Sequence, residues 1–301
     1  MGREIKEIII IDDYSTDNTY GIASRLGKKD KRIIVIKNRV MQGKNFAVKK
    51  ALELASGDFI CMTDADIFLA SDTITKLLPY FYKEHIGGIC LSPNLIVENK
   101  SNKSYIPFYE RFIRIVKILE SKIDSVPVAH GQALFFRNKM NIIPTRQADD
   151  VDIAIQVRKK GLRVVYTPHC FFKEMIVNDT ERLKQQKIRR AKAVIDSLFA
   201  HKDVFFNYRY GLFGFLCYPF DVAIYVFSPF ILLSLVISFF LLLFLLTNIS
   251  VTLIVIVLFL FLLFFTKYKS IIKLNIVALT ALYRYSKEGT SHSWKTPRET
   301  V

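Results

Sequence analysis

Residues 43–69 read GKNFAVKKALELASGDFICMTDADIFL. A glycine and a lysine open a helix-like stretch, Ser56-Gly57-Asp58 interrupts it, and an apolar run from Phe59 to Met62 follows. The run then ends abruptly on Thr63-Asp64-Ala65-Asp66. Helical periodicity, a turn and a short apolar run predict an αβ unit. In an open α/β sheet, ligands collect at the carboxyl ends of the strands, where these acids fall. A solvated turn would account for the same residues. Two acids separated by one small residue also suit a hard divalent cation such as Mg²⁺ or Mn²⁺, which takes one or two carboxylates and completes its shell with substrate phosphates and water.

The pattern repeats on either side of this stretch. Upstream stand EIIIIDD (7–13), the helix-like STDNTYGIASRLGKK (15–29) and KRIIVIKN (31–38). Downstream come a helix near Ser71 to His85, the strand-like GGICLSPNLIVE (87–98), the basic amphipathic YIPFYERFIRIVKILESKI (105–123) and the strand-like VPVAHGQALFFR (126–137). DDVDIAIQVRKKG (149–161), RVVYT (163–167) and ERLKQQKIRRAKAVIDSLF (181–199) complete the series. Strands alternating with helices predict an α/β fold with a mostly parallel sheet.

Two further acidic clusters raise functional questions. Asp12-Asp13 stands at a strand end, where a carboxylate can accept hydrogen bonds from a base N–H or a ribose; turn and cap chemistry explains the neighbouring Ser15 to Asn18. Asp149, Asp150 and Asp152 open a helix that Gly161 stops, which is ordinary macrodipole and capping chemistry. The alternative makes one of these acids a general base, tuned by its neighbours.

Hydrophobic residues make up 51% of the 301, and the formal charge is +16. The apolar excess concentrates in residues 222–246 and 251–265, which carry no charge. A bilayer core of ~30 Å takes about 20 helical residues, so the two segments predict a transmembrane hairpin. Lys and Arg precede the pair in KIRRAK and follow it at Lys267, Lys269 and Lys273, whereas Thr247 to Ser250 has none. Both flanks are therefore expected in the cytoplasm. The aromatic stretch 205–221 suits a headgroup interface. Four scattered cysteines predict neither a zinc site nor a disulfide framework. The basic residues follow no nucleic-acid-binding motif; attraction to anionic membrane lipids and to an anionic substrate is expected instead.

Taken in order, these segments resemble glycosyltransferase family 2, inverting nucleotide-sugar transferases with a GT-A fold. EIIIIDDYSTDNT resembles the family's second strand with its nucleotide-binding acids, and GKNFAVKKALELASGDFICMTDAD its Gly-Lys helix and D-x-D strand. SVPVAHGQALFFR resembles the acceptor-side glycine strand, ADDVDIAIQVRKKGLRVVYTP the helix with the catalytic base, and QKIRR the Q-x-x-R-W motif. The placement of the last before apolar segments is similar to the membrane-bound polysaccharide synthases, including the poly-N-acetylglucosamine, hyaluronan and cellulose types.

The resemblance implies a Rossmann-like mixed sheet in residues 1–205, an interfacial segment 206–221, two transmembrane helices within 222–266, and a basic amphipathic tail 267–301. It implies a UDP- or GDP-sugar donor, a divalent metal (Mg²⁺ or Mn²⁺), and a glycan or lipid-linked acceptor at the cell membrane, with the catalytic domain and carboxyl terminus cytoplasmic. Residue by residue, it implies Asp150 as catalytic base, and Asp12, Asp13, Lys44, Asp64, Gln186, Arg189 and Arg190 around the nucleotide-sugar. Asp66 and Asp64 would hold the metal, and Gly131, Gln132 and Asp149 would face the acceptor. Three departures qualify it. Arg190 replaces the usual Trp, which favours a single-transfer enzyme acting on a polyprenyl phosphate or lipid. Lys49 stands where many members have Asn. The family's first strand, P-x-Y-N-E loop and helix have no counterpart, so the fold is expected to be amino-terminally truncated, and an inactive relative is a third expectation.

Overall fold

Four consecutive isoleucines favour an extended, pleated backbone and form β1 (Ile8–Asp12). The computed structural model describes residues 4–97, 106–129, 132–176, 180–246, 255 and 269–289. β1 runs parallel to β2 (Ile33–Lys37), with Asp12 opposite Lys37, and α1 (Thr19–Lys29) makes the crossover. Among the described residues these two strands form a sheet of their own.

The main sheet has five strands. In order they are β3 (Phe59–Thr63), β6 (Ala133–Arg137), β5 (Ile86–Val97), β7 (Arg163–Ile176) and β4 (Ile67–Leu69). Only β5 and β7 are parallel; β6 opposes β3 and β5, and β4 opposes β7. The alternation of elements overstates the parallel content, because periodicity identifies a strand without saying from which end the chain enters it. The sheet is mixed, as the family resemblance implies.

Two other boundaries differ from the sequence reading. The helix expected near residues 71–85 is a short α3 (Thr73–Leu77) followed by a 3₁₀ turn at Leu78–Tyr82. Pro79, which has no N–H to bond backwards, accounts for the tightening. Among the described residues of the strand expected at 126–137, β6 alone is extended in the sheet; Val126 to Ala129 is a buried loop.

α5 (Asp149–Lys159) is buried on both sides. Val151 and Ile155 meet Ile188, Ile195 and Leu198 of α6 (Thr180–Ala200). Ile153, Ala154 and Val157 pack into a core with Cys90, Leu134, Phe136 and Val164 of the sheet. At its end Gly161 takes φ +86 and its N–H bonds the Arg158 carbonyl at 2.9 Å, a left-handed stop that a side chain would strain.

The described residues of the carboxyl-terminal part are largely helical. α7 (Phe213–Leu246) spans 34 residues and contains an 18-residue stretch with a mean hydropathy of 2.9, long and apolar enough to cross a membrane. It starts nine residues before the expected span and includes π turns at Phe213–Cys217 and Ala223–Phe227. The second expected span, 251–265, lies outside the described residues, apart from residue 255. α8 (Lys269–Glu288) packs back on α6: Lys192 Nζ meets Glu288 Oε2 at 2.5 Å, Arg284 bonds Gln185 at 3.1 Å, and Phe199 stacks on Tyr285.

α4 (Ile106–Ile123) lies against the start of α7 through Ile113, Val116, Lys117 and Glu120, all buried. Lys117 donates to the Val128 carbonyl, while Asp221 Oδ2 accepts the Val128 N–H at 3.1 Å. The two helices thus hold both backbone polar groups of one residue in the loop that leads to β6.

Candidate active site

α2 (Lys44–Leu54) starts on Gly43, whose φ of +94 is a conformation that glycine adopts without a steric penalty. That turn aims the Gly43 N–H at Asp13 Oδ2, 2.7 Å away. Asp13 Oδ1 accepts from Gln42 N at 3.0 Å and Asn38 Nδ2 at 2.9 Å. Its carboxylate is therefore committed to building the loop before α2, a structural use that the strand-end position alone does not reveal.

Asp12 is different. It is 4% exposed, and its Oδ1 takes only a long 3.3 Å bond from Ser15 N. Its Oδ2 is buried without a hydrogen-bond partner. An orphaned buried acceptor costs about 1–3 kcal/mol, which an incoming N–H or hydroxyl would recover. Tyr14, next in line, takes φ +67, a strained value for a residue with a side chain.

The ammonium of Lys44 joins three elements. It sits 2.9 Å from Asp64 Oδ1, at the end of β3, and 3.2 Å from Asp149 Oδ2, at the start of α5. Burial opposes the lysine charge, but Asp149 and then Asp64 outweigh it and hold the group protonated above the ordinary lysine range. Burial pushes the Asp149 carboxyl up, and Lys44 opposes that shift. The half-buried Asp150 is raised to about 7 by burial and by the Asp149 charge, with Lys44 pulling the other way. A carboxyl poised near neutrality on a helix packed on both sides is suited to exchange a proton with a bound hydroxyl.

The D-x-D turn is held from β6: the Gln132 carbonyl accepts from Asp64 N at 3.3 Å and from Thr63 Oγ1 at 3.1 Å. Asp66 lies exposed on the same turn and makes no hydrogen bond or ion pair among the described residues. No group of three His, Cys, Asp or Glu able to hold a metal occurs among the described residues. Asp64 and Asp66 nonetheless offer hard oxygen donors, and this set fits a Mg²⁺ or Mn²⁺ ion completed by substrate phosphates, though not a cage made by protein alone.

Of the other sequence-predicted residues, Gly131 lies outside the described residues. Gln186 and Arg189 are half-buried on α6 and Arg190 is exposed. Burial and the charge of Arg190 lower the Arg189 guanidinium from its ordinary range. Ser197 of α6 donates to the Ala148 carbonyl at 3.4 Å, so the helix bearing these residues also backs the acidic end of α5.

Asp152, one of the three acids offered as a general base, is fully buried and bonded to His201 Nε2 at 2.6 Å, Thr145 N at 2.5 Å and Gln156 Nε2 at 3.0 Å, a structural use that sequence reasoning missed. It missed Asp221 and Lys117 altogether. A lone acid in the apolar YPFDVAIY and a lysine on the buried face of α4 are the signals that could have found them.

Residues 2–142 match the family model described as glycosyl transferase family 2. Over 85 residues the chain is 35% identical to a beta-monoglucosyldiacylglycerol synthase of Nostoc sp., covering 28% of this chain and 18% of that protein. Over 199 residues it is 24% identical to the poly-beta-1,6-N-acetyl-D-glucosamine synthase of Staphylococcus aureus, covering 63% and 47%. The chain thus spans less than half the length of these curated relatives. Among solved structures it resembles the mannosyltransferase PcManGT from Pyrobaculum calidifontis, in complex with GDP-Man and Mn²⁺. The TM-score is 0.76 at 17% identity, covering 94% of this chain and 78% of that one. The shared architecture is the GT-A fold.

Proposed function

We propose, from the match of residues 2–142 to the glycosyl transferase family 2 model, that this chain is a membrane-anchored inverting glycosyltransferase. It would move a sugar from a UDP- or GDP-sugar to a glycan acceptor. The observation that carries the reading is the Lys44 ammonium, which ties the D-x-D acid Asp64 to Asp149 at the acidic start of α5 in one cluster.

Asp12 accepts a hydrogen bond from the nucleotide through its unpartnered oxygen, and Lys44 stands where it can balance diphosphate charge. Asp150 takes the proton from the acceptor hydroxyl as that oxygen attacks the anomeric carbon and the bond to the diphosphate breaks on the opposite face. Asp66 and Asp64 would hold the divalent metal, which when bound would supply charge to offset the leaving diphosphate. Arg189 and Arg190 add further positive charge for the same group. Gln186, Gln132 and Asp149 shape the surroundings of donor and acceptor.

Anchoring is supported by α7 and by the basic flanks of the apolar region, which favour a cytoplasmic catalytic domain and carboxyl terminus. The long match to a polysaccharide synthase supports a glycan acceptor. A second reading, single transfer to a lipid or polyprenyl phosphate, is favoured by Arg190 in the position of the synthases' Trp and by the match to a glycolipid synthase. Product sizing separates the two: a ladder indicates polymer, one glycolipid indicates single transfer.

The test of the mechanism is metal-dependent turnover of nucleotide-sugar by the detergent-purified chain. Asp150→Asn should lower kcat by about 100-fold or more while leaving donor affinity in place. Undiminished turnover in that variant would remove Asp150 from the chemistry.

A further inference from the structure

We propose that α4 is an in-plane membrane element, forming with the start of α7 one apolar plate that lies in the headgroup layer of an anionic bilayer. The inference rests on the anchored reading above and adds a second, non-spanning contact to it.

α4 has three faces. Ile113, Val116, Lys117 and Glu120 are turned inward. Phe112, Ile115, Leu119 and Ile123, spaced by three and four residues, line a second face and are 43–57% exposed. Arg111, Arg114 and Lys122 are exposed beside them, and Arg114 also reaches the Pro168 carbonyl at 3.3 Å. A helix already packed on one side gains nothing in water from a second row of large apolar side chains. An apolar row bordered by cations is the composition of a helix lying about 5–10 Å into a headgroup boundary.

The occupant follows from what adjoins this face. At the start of α7, Leu212, Phe215, Leu216 and Phe220 are likewise exposed, beside Tyr208, which is 88% exposed. The two helices are locked together where α7 departs: Cys217 Sγ lies 4.0 Å from the Glu120 carbonyl, and Lys117 and Asp221 bond the carbonyl and the N–H of Val128. The exposed row therefore continues into a helix apolar enough to cross a bilayer, and its cations complement anionic headgroups. Tyrosine and phenylalanine rings are at home in that layer. A second copy of the chain or a protein partner would not need the continuity with α7.

The test uses the full chain in vesicles containing phosphatidylglycerol. Its single tryptophan is removed by Trp294→Phe, and one new reporter is added by Leu119→Trp, with Ile115→Trp as a second chain in case the first misfolds. Leu235→Trp, on the exposed apolar part of α7, reports anchoring separately. The expected result is loss of most emission from the α4 reporters with lipids brominated near the ester end of the acyl chains. Lipids brominated near the methyl end should quench them less and quench the α7 reporter more. Unquenched α4 reporters beside a quenched α7 reporter would overturn the proposal and leave anchoring intact. Reporters unquenched at both places would remove the anchored reading and this proposal together.

Discussion

At the scale of a single residue, Lys44 has the largest expected effect. It is the cation within reach of a buried Asp149, and a carboxylate that loses its buried partner is destabilising. Because 33% of the lysine side chain remains exposed, Lys44→Met should cost about 2–3 kcal/mol in denaturant unfolding, below the figure for a fully buried pair. The same change removes the interaction that holds Asp150 down at about 7. Proton abstraction needs the ionised carboxylate, so turnover of the natural chain should fall as pH drops through about 7. In Lys44→Met that limb should move to higher pH. A pH–rate profile of the two chains checks both the direction and the assignment.

Among the elements, α5 shows best what the sequence conveyed. Its start, its acids and its Gly161 stop were legible, because capping and macrodipole chemistry are local. The division of labour among the acids was not, because it depends on what packs against each from other elements. Asp149 meets a lysine 105 residues away, whereas Asp152 meets His201 and the Thr145 backbone. Burial opposes the Asp152 charge, but bonds from His201, Gln156 and Thr145 prevail and hold it at about 2. A carboxyl depressed in the folded state contributes stability above its unfolded value, lost as pH falls from about 4 towards about 2. For Asp152 this amounts to about 2 kcal/mol. Asp152→Asn should accordingly flatten the acid limb of the unfolding curve without shifting the neutral limb of the rate profile. Strand direction escaped sequence reasoning for a related reason, since α4 and the loop gripped by Asp221 and Lys117 decide which way β6 enters the sheet.

On the scale of the whole molecule, the soluble body and the apolar helix share residues. Asp221 lies within α7 yet accepts a hydrogen bond from Val128 in the loop before β6. Asp221→Ala should leave that buried N–H unsatisfied and cost about 1–3 kcal/mol. Asp221→Asn keeps an acceptor and should lose less. Thermal unfolding in detergent of the two variants tests this difference. Hydropathy marked residue 222 as the start of a membrane segment, and the aspartate before it read as a boundary. It is instead a tie between the apolar helix and the body it leaves.

The docking of α8 on α6 has a consequence of parity. The chain departs from the soluble body along α7 and rejoins it at the contact of Lys192 with Glu288. A path that begins and ends on the same bank has crossed the river an even number of times. If α7 traverses a bilayer, the crossings between these two contacts are even in number, and tags on the two chain ends should be labelled from the same side of sealed vesicles.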